Sequence, residues 1–245
     1  GTGIGRAIAE AFSRAGAEVA ISSRDPEHLK GAEERFALRG GSLFTHKADV
    51  TVPEEVERVA EKIVQRFGRV DILVNNAGTS CSIPLVDMVD DQWHRIVETN
   101  LTGSFYCSRA ALRRMKDHVG GRIINISSVL GKFGVPGYTA YCATKHGIIG
   151  FTRALAMEVA DRGITVNAIC PGWVDTAMAR EGIRAGARGM GIEEEAFFKI
   201  AVAAIPTKRF TESEEVGALA VYLASEAASN MTGQALNLCG GGTTA

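Results

Sequence analysis

Arg122-Ile-Ile-Asn-Ile-Ser-Ser-Val-Leu-Gly-Lys-Phe-Gly-Val-Pro-Gly-Tyr-Thr-Ala-Tyr-Cys-Ala-Thr-Lys145 holds a strand, a loop and the start of a helix in one stretch. The apolar run 122–127 reads as a buried strand. Gly131, Gly134, Pro136 and Gly137 mark a loop. A long helical pattern follows, from about Tyr138 to Ala160. A buried strand that feeds a long helix is half of a parallel βαβ unit. Tyr141 and Lys145 stand four residues apart, which puts them on one helix face. A phenol beside an ammonium is a proton donor with a lowered pKa, and the Ser128 hydroxyl at the strand end can hold the oxygen that takes the proton. The stretch points to acid–base chemistry at a carbonyl or an alcohol.

The pattern repeats outward in both directions. Strands are expected at 17–23, 43–48, 70–74, 163–169 and 234–238. Helices are expected from Gly3 to Ala15 and over 26–39, 53–67, 91–115 and 212–223. Strands that alternate with helices of ten or more residues imply an α/β fold of Rossmann type: a doubly wound parallel sheet between two helix layers. Residues 1–245 show no linker, repeat or low-complexity tract, so a single domain is expected. Such a sheet carries a strand before its first helix. The sequence starts at Gly1, within the turn that follows that strand, so the first strand is expected to precede these residues.

Composition narrows the function classes. The net charge of −1 offers no footing for nucleic acid or an anionic membrane, and 46% apolar content is ordinary for a globular domain. No apolar run reaches the roughly 20 residues needed to span a bilayer. Five cysteines are scattered without a Cys-x-x-Cys pair, which reads as reduced thiols in the cytoplasm. The histidines form no cluster, so no metal site is expected.

Gly3-Ile4-Gly5 opens a helix, the place where backbone can approach a pyrophosphate. At the end of strand 17–23, where NAD sites place a carboxylate, stand Ser23 and Arg24. A guanidinium suits a 2′-phosphate, so NADP(H) is favoured and NAD(H) stays open. Asn100 lies on the apolar stripe of its helix with Trp93, Ile96, Val97, Leu101, Ser104 and Phe105. A buried amide needs partners, whether in a local cap or kink or at a site.

Together, Gly3-Ile4-Gly5, Asp49-Val50, Asn75-Asn-Ala-Gly78, Asn100, Ser128, Tyr141-x-x-x-Lys145, Pro171-Gly172 and Thr176 resemble the main branch of the short-chain dehydrogenase/reductase family. The resemblance covers the whole chain. It implies that Tyr141 exchanges the proton, that Lys145 lowers the tyrosine pKa and binds the nicotinamide ribose, and that Ser128 aligns the substrate oxygen. Asn100 would order a water in a proton relay. Asp49 and Val50 would border the adenine, and Asn76, Ala77 and Gly78 would line the nucleotide. Pro171, Gly172, Val174 and Thr176 would flank the carboxamide. A homotetramer is the usual assembly.

Lys145-His-Gly147, Pro171-Gly-Trp-Val-Asp-Thr-Ala-Met178, Glu194-Glu-Ala-Phe197 and Leu236-Asn-Leu-Cys-Gly-Gly241 resemble the 3-oxoacyl carrier-protein reductases and polyketide ketoreductases of that family. Cys239 departs from the common Asp-Gly-Gly, and Thr79-Ser-Cys-Ser82 stands where Pro-Gly-Gly marks polyketide stereocontrol. The resemblance implies hydride transfer between NADP(H) and a small ketone or alcohol, free or bound to a carrier protein or CoA; NAD-linked oxidation of a hydroxy acid or ring alcohol is the alternative, and a non-catalytic nucleotide-sensing protein is the reading of another class. Residues 177–205 are expected to form a lid, made mobile by Gly182, Gly186, Gly189 and Gly191. Its helix 193–205 is apolar on two sides and is expected to be buried, by the body or by a partner subunit. Met178, Met190, Phe197 and Phe198 are candidates to reach the pocket, and Tyr138 is a candidate substrate contact. Arg113, Arg114, Lys116 and Arg162 are candidates for carrier docking, against a plainer role at a solvated helix end.

Overall fold

The computed structural model describes residues 2–38 and 43–244. Gly1 and Arg39, expected in the first turn and at the end of a helix, lie outside the described residues. The chain begins with α1 (Gly3–Arg14), β1 (Val19–Ser23), α2 (Pro26–Leu38), β2 (Leu43–Lys47), α3 (Pro53–Phe67) and β3 (Ile72–Asn75). It continues through α4 (Asp90–Val97), α5 (Gly103–Leu112), β4 (Arg122–Ile126), α6 (Thr139–Val159) and β5 (Thr165–Pro171). It closes with α7 (Ala177–Met190), α8 (Glu194–Ala204), α9 (Ser213–Ala224) and β6 (Ala235–Leu238).

All strand pairings are parallel, as the βα rhythm requires. The strands pair as two sheets, β1-β2 and β3-β4-β5-β6, because no described segment hydrogen-bonds between β1 and β3. Alternate residues of the sheet feed two cores. Ile124, Ile126 and Ile169 pack with Ile8 and Phe12 of α1 and Val216, Ala220 and Leu223 of α9. Ile123 and Val166 point the other way, toward Ala111 of α5 and Leu155, Ala156 and Val159 of α6. β4 and β5 are buried along their whole length, so they read as continuous apolar runs rather than alternating ones. α1 and α9 touch through Gly217, where a Cβ would fall 2.8 Å from the Ala7 carbonyl oxygen.

One expectation changes. The single helix over 91–115 is broken by a π turn at Glu98–Thr102, which separates α4 from α5. Such turns insert one residue and re-aim side chains, often at functional sites. The glycine-bearing stretch after Thr176, expected as a mobile lid, is helical. α7 runs through Gly182, Gly186 and Gly189 and stops at Gly191, whose φ of 65° is the left-handed cap conformation. Gly186 serves packing: a Cβ there would lie 2.1 Å from the Phe197 ring. The body of the chain covers only Ala201 of α8 fully and leaves Phe198 and Ile200 exposed. Phe197 packs on Gly186, and Phe198 meets Phe210, beyond the segment, edge-on.

Candidate active site

The C-terminal ends of β3, β4 and β5 carry the site, as open α/β sheets dictate. β3 ends at Asn75, whose amide bonds the Ser108 hydroxyl at 2.9 Å and the Asn125 oxygen at 2.8 Å. Asn125 in turn donates to Thr152 of α6 at 2.9 Å. These buried groups tie β3, β4, α5 and α6 into one frame. Each side chain needs its partner at this depth, because an unpaired buried amide costs about 1–3 kcal/mol.

Beyond β4, the Ser128 oxygen accepts from the Leu130 backbone at 3.1 Å, which leaves the hydroxyl proton free to point elsewhere. Ser127 donates to the Lys145 carbonyl at 2.9 Å. Gly131 makes this approach possible, since a Cβ there would lie 2.7 Å from the Lys145 carbonyl oxygen. The loop is thereby clamped to the first turns of α6, and Tyr141 faces Ser128.

Lys145 is buried and donates to the Ile126 carbonyl at 2.8 Å. Its nitrogen sits 5.4 Å from the centre of the Tyr141 ring. Burial drives the ammonium pKa down to about 8. Burial also pushes the Tyr141 phenol up to about 12, with the Ser128 hydrogen bond acting the other way. The lowered phenol pKa expected from the i, i+4 spacing is therefore reversed. The cation lies over the ring and is bonded to a backbone carbonyl, while desolvation of the phenolate dominates.

The π turn delivers Asn100 to the same place. Its oxygen accepts from the Thr79 backbone N–H at 2.8 Å, and its nitrogen donates to the Thr79 carbonyl at 2.9 Å and to Thr144 at 3.1 Å. The amide is committed to holding the chain after Gly78 against α6. Asn100 stands within the π turn, the local kink that one expectation named. Gly78 sits between this clasp and the lysine: a Cβ would lie 3.4 Å from the Asn100 oxygen and 3.7 Å from the Lys145 nitrogen. Ser127, Gly131 and Thr144 escape a reading by motif. Their signal is slight: a second serine on a buried run, a glycine after it, and a hydroxyl one residue before the lysine.

The cofactor candidates surround the start of α1. Its first turn has no side-chain cap and no acidic residue. Gly3 has a φ of 51°, and a Cβ on it would meet Thr176 at 3.2 Å. A Cβ on Gly5 would fall 2.5 Å from the Asn76 amide nitrogen. Gly3, Ile4, Gly5, Asn76 and Thr176 thus form a tight cradle at an uncapped helix N-terminus, which fits a pyrophosphate. Ala77 follows Asn76 and is exposed. Val174 is buried beside Thr176, which caps α7 by accepting from the Ala179 backbone at 3.2 Å. Pro171 ends β5, and Gly172 packs so closely on Cys239 that a Cβ would lie 2.8 Å from the cysteine Cβ.

At the other end of the cradle, Ser23 accepts from the Asp25 backbone at 3.2 Å. Arg24 is mostly exposed and lies 3.9 Å from Asp49, a loose pair that leaves donors free. Asp49 also holds Thr51 through two bonds, and Val50 fits against Gly103 at the start of α5.

The docking arginines lie elsewhere. Arg113 and Arg114 bond Glu57 at 2.9 and 2.8 Å, and Arg162 bonds Asp117 and the α5-end carbonyls of Leu112 and Met115. All three stand near the start of β4 and β5, at the end of the sheet away from Tyr141. Arg114 also bonds the Ala110 carbonyl, so Arg114 and Arg162 both contact carbonyls near the end of α5. Among the described residues no group of metal-binding side chains occurs, and no helix is long and apolar enough to cross a membrane.

An uncapped, glycine-lined helix start beside a hydroxyl, a phenol and an ammonium defines a dinucleotide-dependent oxidoreductase architecture. Residues 1–243 match the family described as enoyl-(acyl carrier protein) reductase. The chain is 40% identical over 245 residues to the D-beta-hydroxybutyrate dehydrogenase of Rhizobium meliloti, covering 99% of this chain and 95% of that protein. It is 40% identical over 242 residues to the 3-oxoacyl-(acyl-carrier-protein) reductase FabG of Salmonella typhimurium, covering 98% of this chain and 92% of that protein. The crystal structure of an actinorhodin polyketide ketoreductase with NADPH superposes with a TM-score of 0.93 at 37% identity, over 98% of this chain and 93% of that one. The chain belongs to the short-chain dehydrogenase/reductase family.

Proposed function

We propose that the protein reduces a ketone with NADP(H), and that its substrate is a 3-oxoacyl thioester, carried on a carrier protein or CoA, or a polyketide-like or cyclic ketone. When bound, the nicotinamide supplies the hydride. The chain's own groups do the rest. Ser128 donates to the carbonyl oxygen and orients it. Tyr141 delivers the proton to that oxygen. Lys145 places positive charge beside the developing negative charge, and Asn100 holds the chain at Thr79 and Gly78 in register with α6.

One observation carries the acid–base role: the Tyr141 phenol is hydrogen-bonded to Ser128, and the buried Lys145 nitrogen sits 5.4 Å from its ring centre. The phenol gives its proton to the nascent alkoxide in reduction and takes it back in the reverse reaction. Arg24 is placed to take the 2′-phosphate, and the presence of NADPH in the crystal structure of the similar actinorhodin ketoreductase supports that reading.

The test follows nicotinamide absorbance over a panel of ketones. Tyr141→Phe is expected to lower turnover by roughly a hundredfold to ten-thousandfold with melting temperature unchanged. Full turnover in that variant would remove the proposed mechanism. Arg24→Ala is expected to raise KM for NADPH roughly tenfold and leave NADH untouched, because a charge-assisted bond is lost. Equal losses would take Arg24 out of the phosphate role.

The Rhizobium relative favours a second reading, NAD-linked oxidation of a hydroxy acid. Faster turnover of 3-hydroxybutyrate with NAD than of any ketone with NADPH would select it. The family's usual homotetramer and a cytoplasmic setting complete the proposal, and a monomeric mass in solution would count against the former.

A further inference from the structure

Tyr138 stands three residues before Tyr141, and the two rings meet edge to face with centroids 6.4 Å apart. The Tyr138 phenol hydrogen-bonds Ser82. The loop that carries Ser82 is docked on the same turn: Ile83 donates its backbone N–H to the Gly137 carbonyl at 2.8 Å, and a Cβ on Gly137 would lie 3.1 Å from the Ser82 oxygen. The far end of this loop is the Thr79 backbone clasped by Asn100. Residues 79–83 are thus pinned at both ends, once to the reaction frame and once to Tyr138.

The third wall comes from α7. A Cβ on Gly182 would lie 3.7 Å from the Tyr138 oxygen and 3.0 Å from the Trp173 ring. Trp173 is itself stacked on Phe210, with centroids 5.5 Å apart and planes at 11°. The phenol and the indole therefore converge on Gly182, while the other side of the Tyr138 ring meets Tyr141. We infer that Tyr138, latched by Ser82 and facing Gly182, is a specificity-determining residue whose ring limits the size of the substituent admitted on the carbonyl carbon. The inference rests on Tyr141 being the proton donor. It gives the latch a purpose: a phenol free to rotate would leave the width of this corner undefined.

The test compares kcat/KM, with NADPH, for the acetoacetyl thioester of N-acetylcysteamine and for the bicyclic ketone 1-decalone. Tyr138→Ala is expected to raise the bicyclic-to-linear ratio about tenfold, and Tyr138→Trp to lower it by a similar factor, the scale that pocket shape commands. Ser82→Ala and Tyr138→Phe each break the latch and are expected to shift the ratio in the direction of Tyr138→Ala by a smaller factor. Their double variant should shift it no further than either single change. Ser82→Thr restores a hydroxyl and should restore the original ratio. NADPH affinity should stay constant throughout, which a general loosening of the fold would not allow. A ratio constant within about twofold in both Tyr138→Trp and Ser82→Ala overturns the inference, even if Tyr138→Ala does not fold. Retained turnover in Tyr141→Phe would instead overturn the proton-donor reading.

Discussion

The β4–α6 frame and the α7–α8 segment are built by different physics. In the frame, Asn125, Ser127, Thr144 and Lys145 are buried, and each is held by a hydrogen bond to a specific atom. In α7 and α8 the contacts are shapes: the Phe197 ring fills the space left by Gly186, and Phe198 meets Phe210 edge-on. A buried polar group tolerates few partners and few distances, so the frame is rigid and its residue types are restricted. A ring against a glycine can be exchanged for another pair of similar volume, so this segment is free to vary with substrate.

The largest effect that would break this contrast lies at Lys145. Its pKa falls from 10.5 to about 8 on burial. Above pH 10.5 both the folded and the unfolded chain hold it neutral, and no penalty applies. As pH falls toward 8 the unfolded chain takes the proton first, so stability declines by about 3 kcal/mol in all. Stability of the cofactor-free protein should therefore rise with pH between about 8 and 10.5 by way of this group. Lys145→Met is expected to flatten that part of the denaturation profile and to lose most turnover. A Lys145→Met profile parallel to wild type would mean that the lysine reaches water, and that the frame is looser than its hydrogen bonds imply.

The same contrast explains what is legible in the sequence. Helix spacing identifies Tyr141 and Lys145, and a place at the end of a buried run identifies Ser128. Asn100 is conspicuous because an amide on an apolar stripe demands partners. The π turn that presents it is invisible, since the sequence pattern of 91–115 is continuous and the extra residue appears only when Thr79 and Thr144 are in place. The sign of the Tyr141 shift is also out of reach, because spacing shows the neighbouring cation but not the depth of burial. In α7 and its cap, four glycines look like a hinge. Composition cannot distinguish a glycine that frees a chain from one that admits a ring, and Gly186 is the second kind. The parallel pairing is legible from βα alternation.

Gly186→Ala sharpens the comparison from the other side. The added methyl would overlap the Phe197 ring, and overpacking of this kind costs about 1–3 kcal/mol. Calorimetry should show that loss, and Phe197→Leu introduced alongside should recover part of it, a coupling that independent sites lack. Because the frame does not touch this pair, the effect on turnover should fall on KM rather than on kcat. A full loss of kcat would show that the two regions are one mechanical unit.

The smallest effect concerns how the α8 side returns to the body. Arg209 forks onto Glu215 through two bonds of 2.6 and 2.8 Å, while Glu215 also accepts from the Glu212 backbone at the start of α9. The guanidinium beside it, followed by that backbone bond, lowers the Glu215 pKa from 4.5 to about 2. A carboxyl whose folded pKa is depressed stabilises the fold above its unfolded value and loses that contribution as pH falls through the folded one. The relevant window is therefore pH 4.5 down to about 2. Both side chains are substantially exposed, 56% for Arg209 and 37% for Glu215, so water and salt screen most of the interaction. Glu215→Gln should melt slightly below wild type at neutral pH, with the gap closing as pH falls through that window and shrinking in about 1 M salt. A gap that persists unchanged at pH 2 would assign the contribution to packing at the α9 start, leaving the ion pair without a part in anchoring the segment.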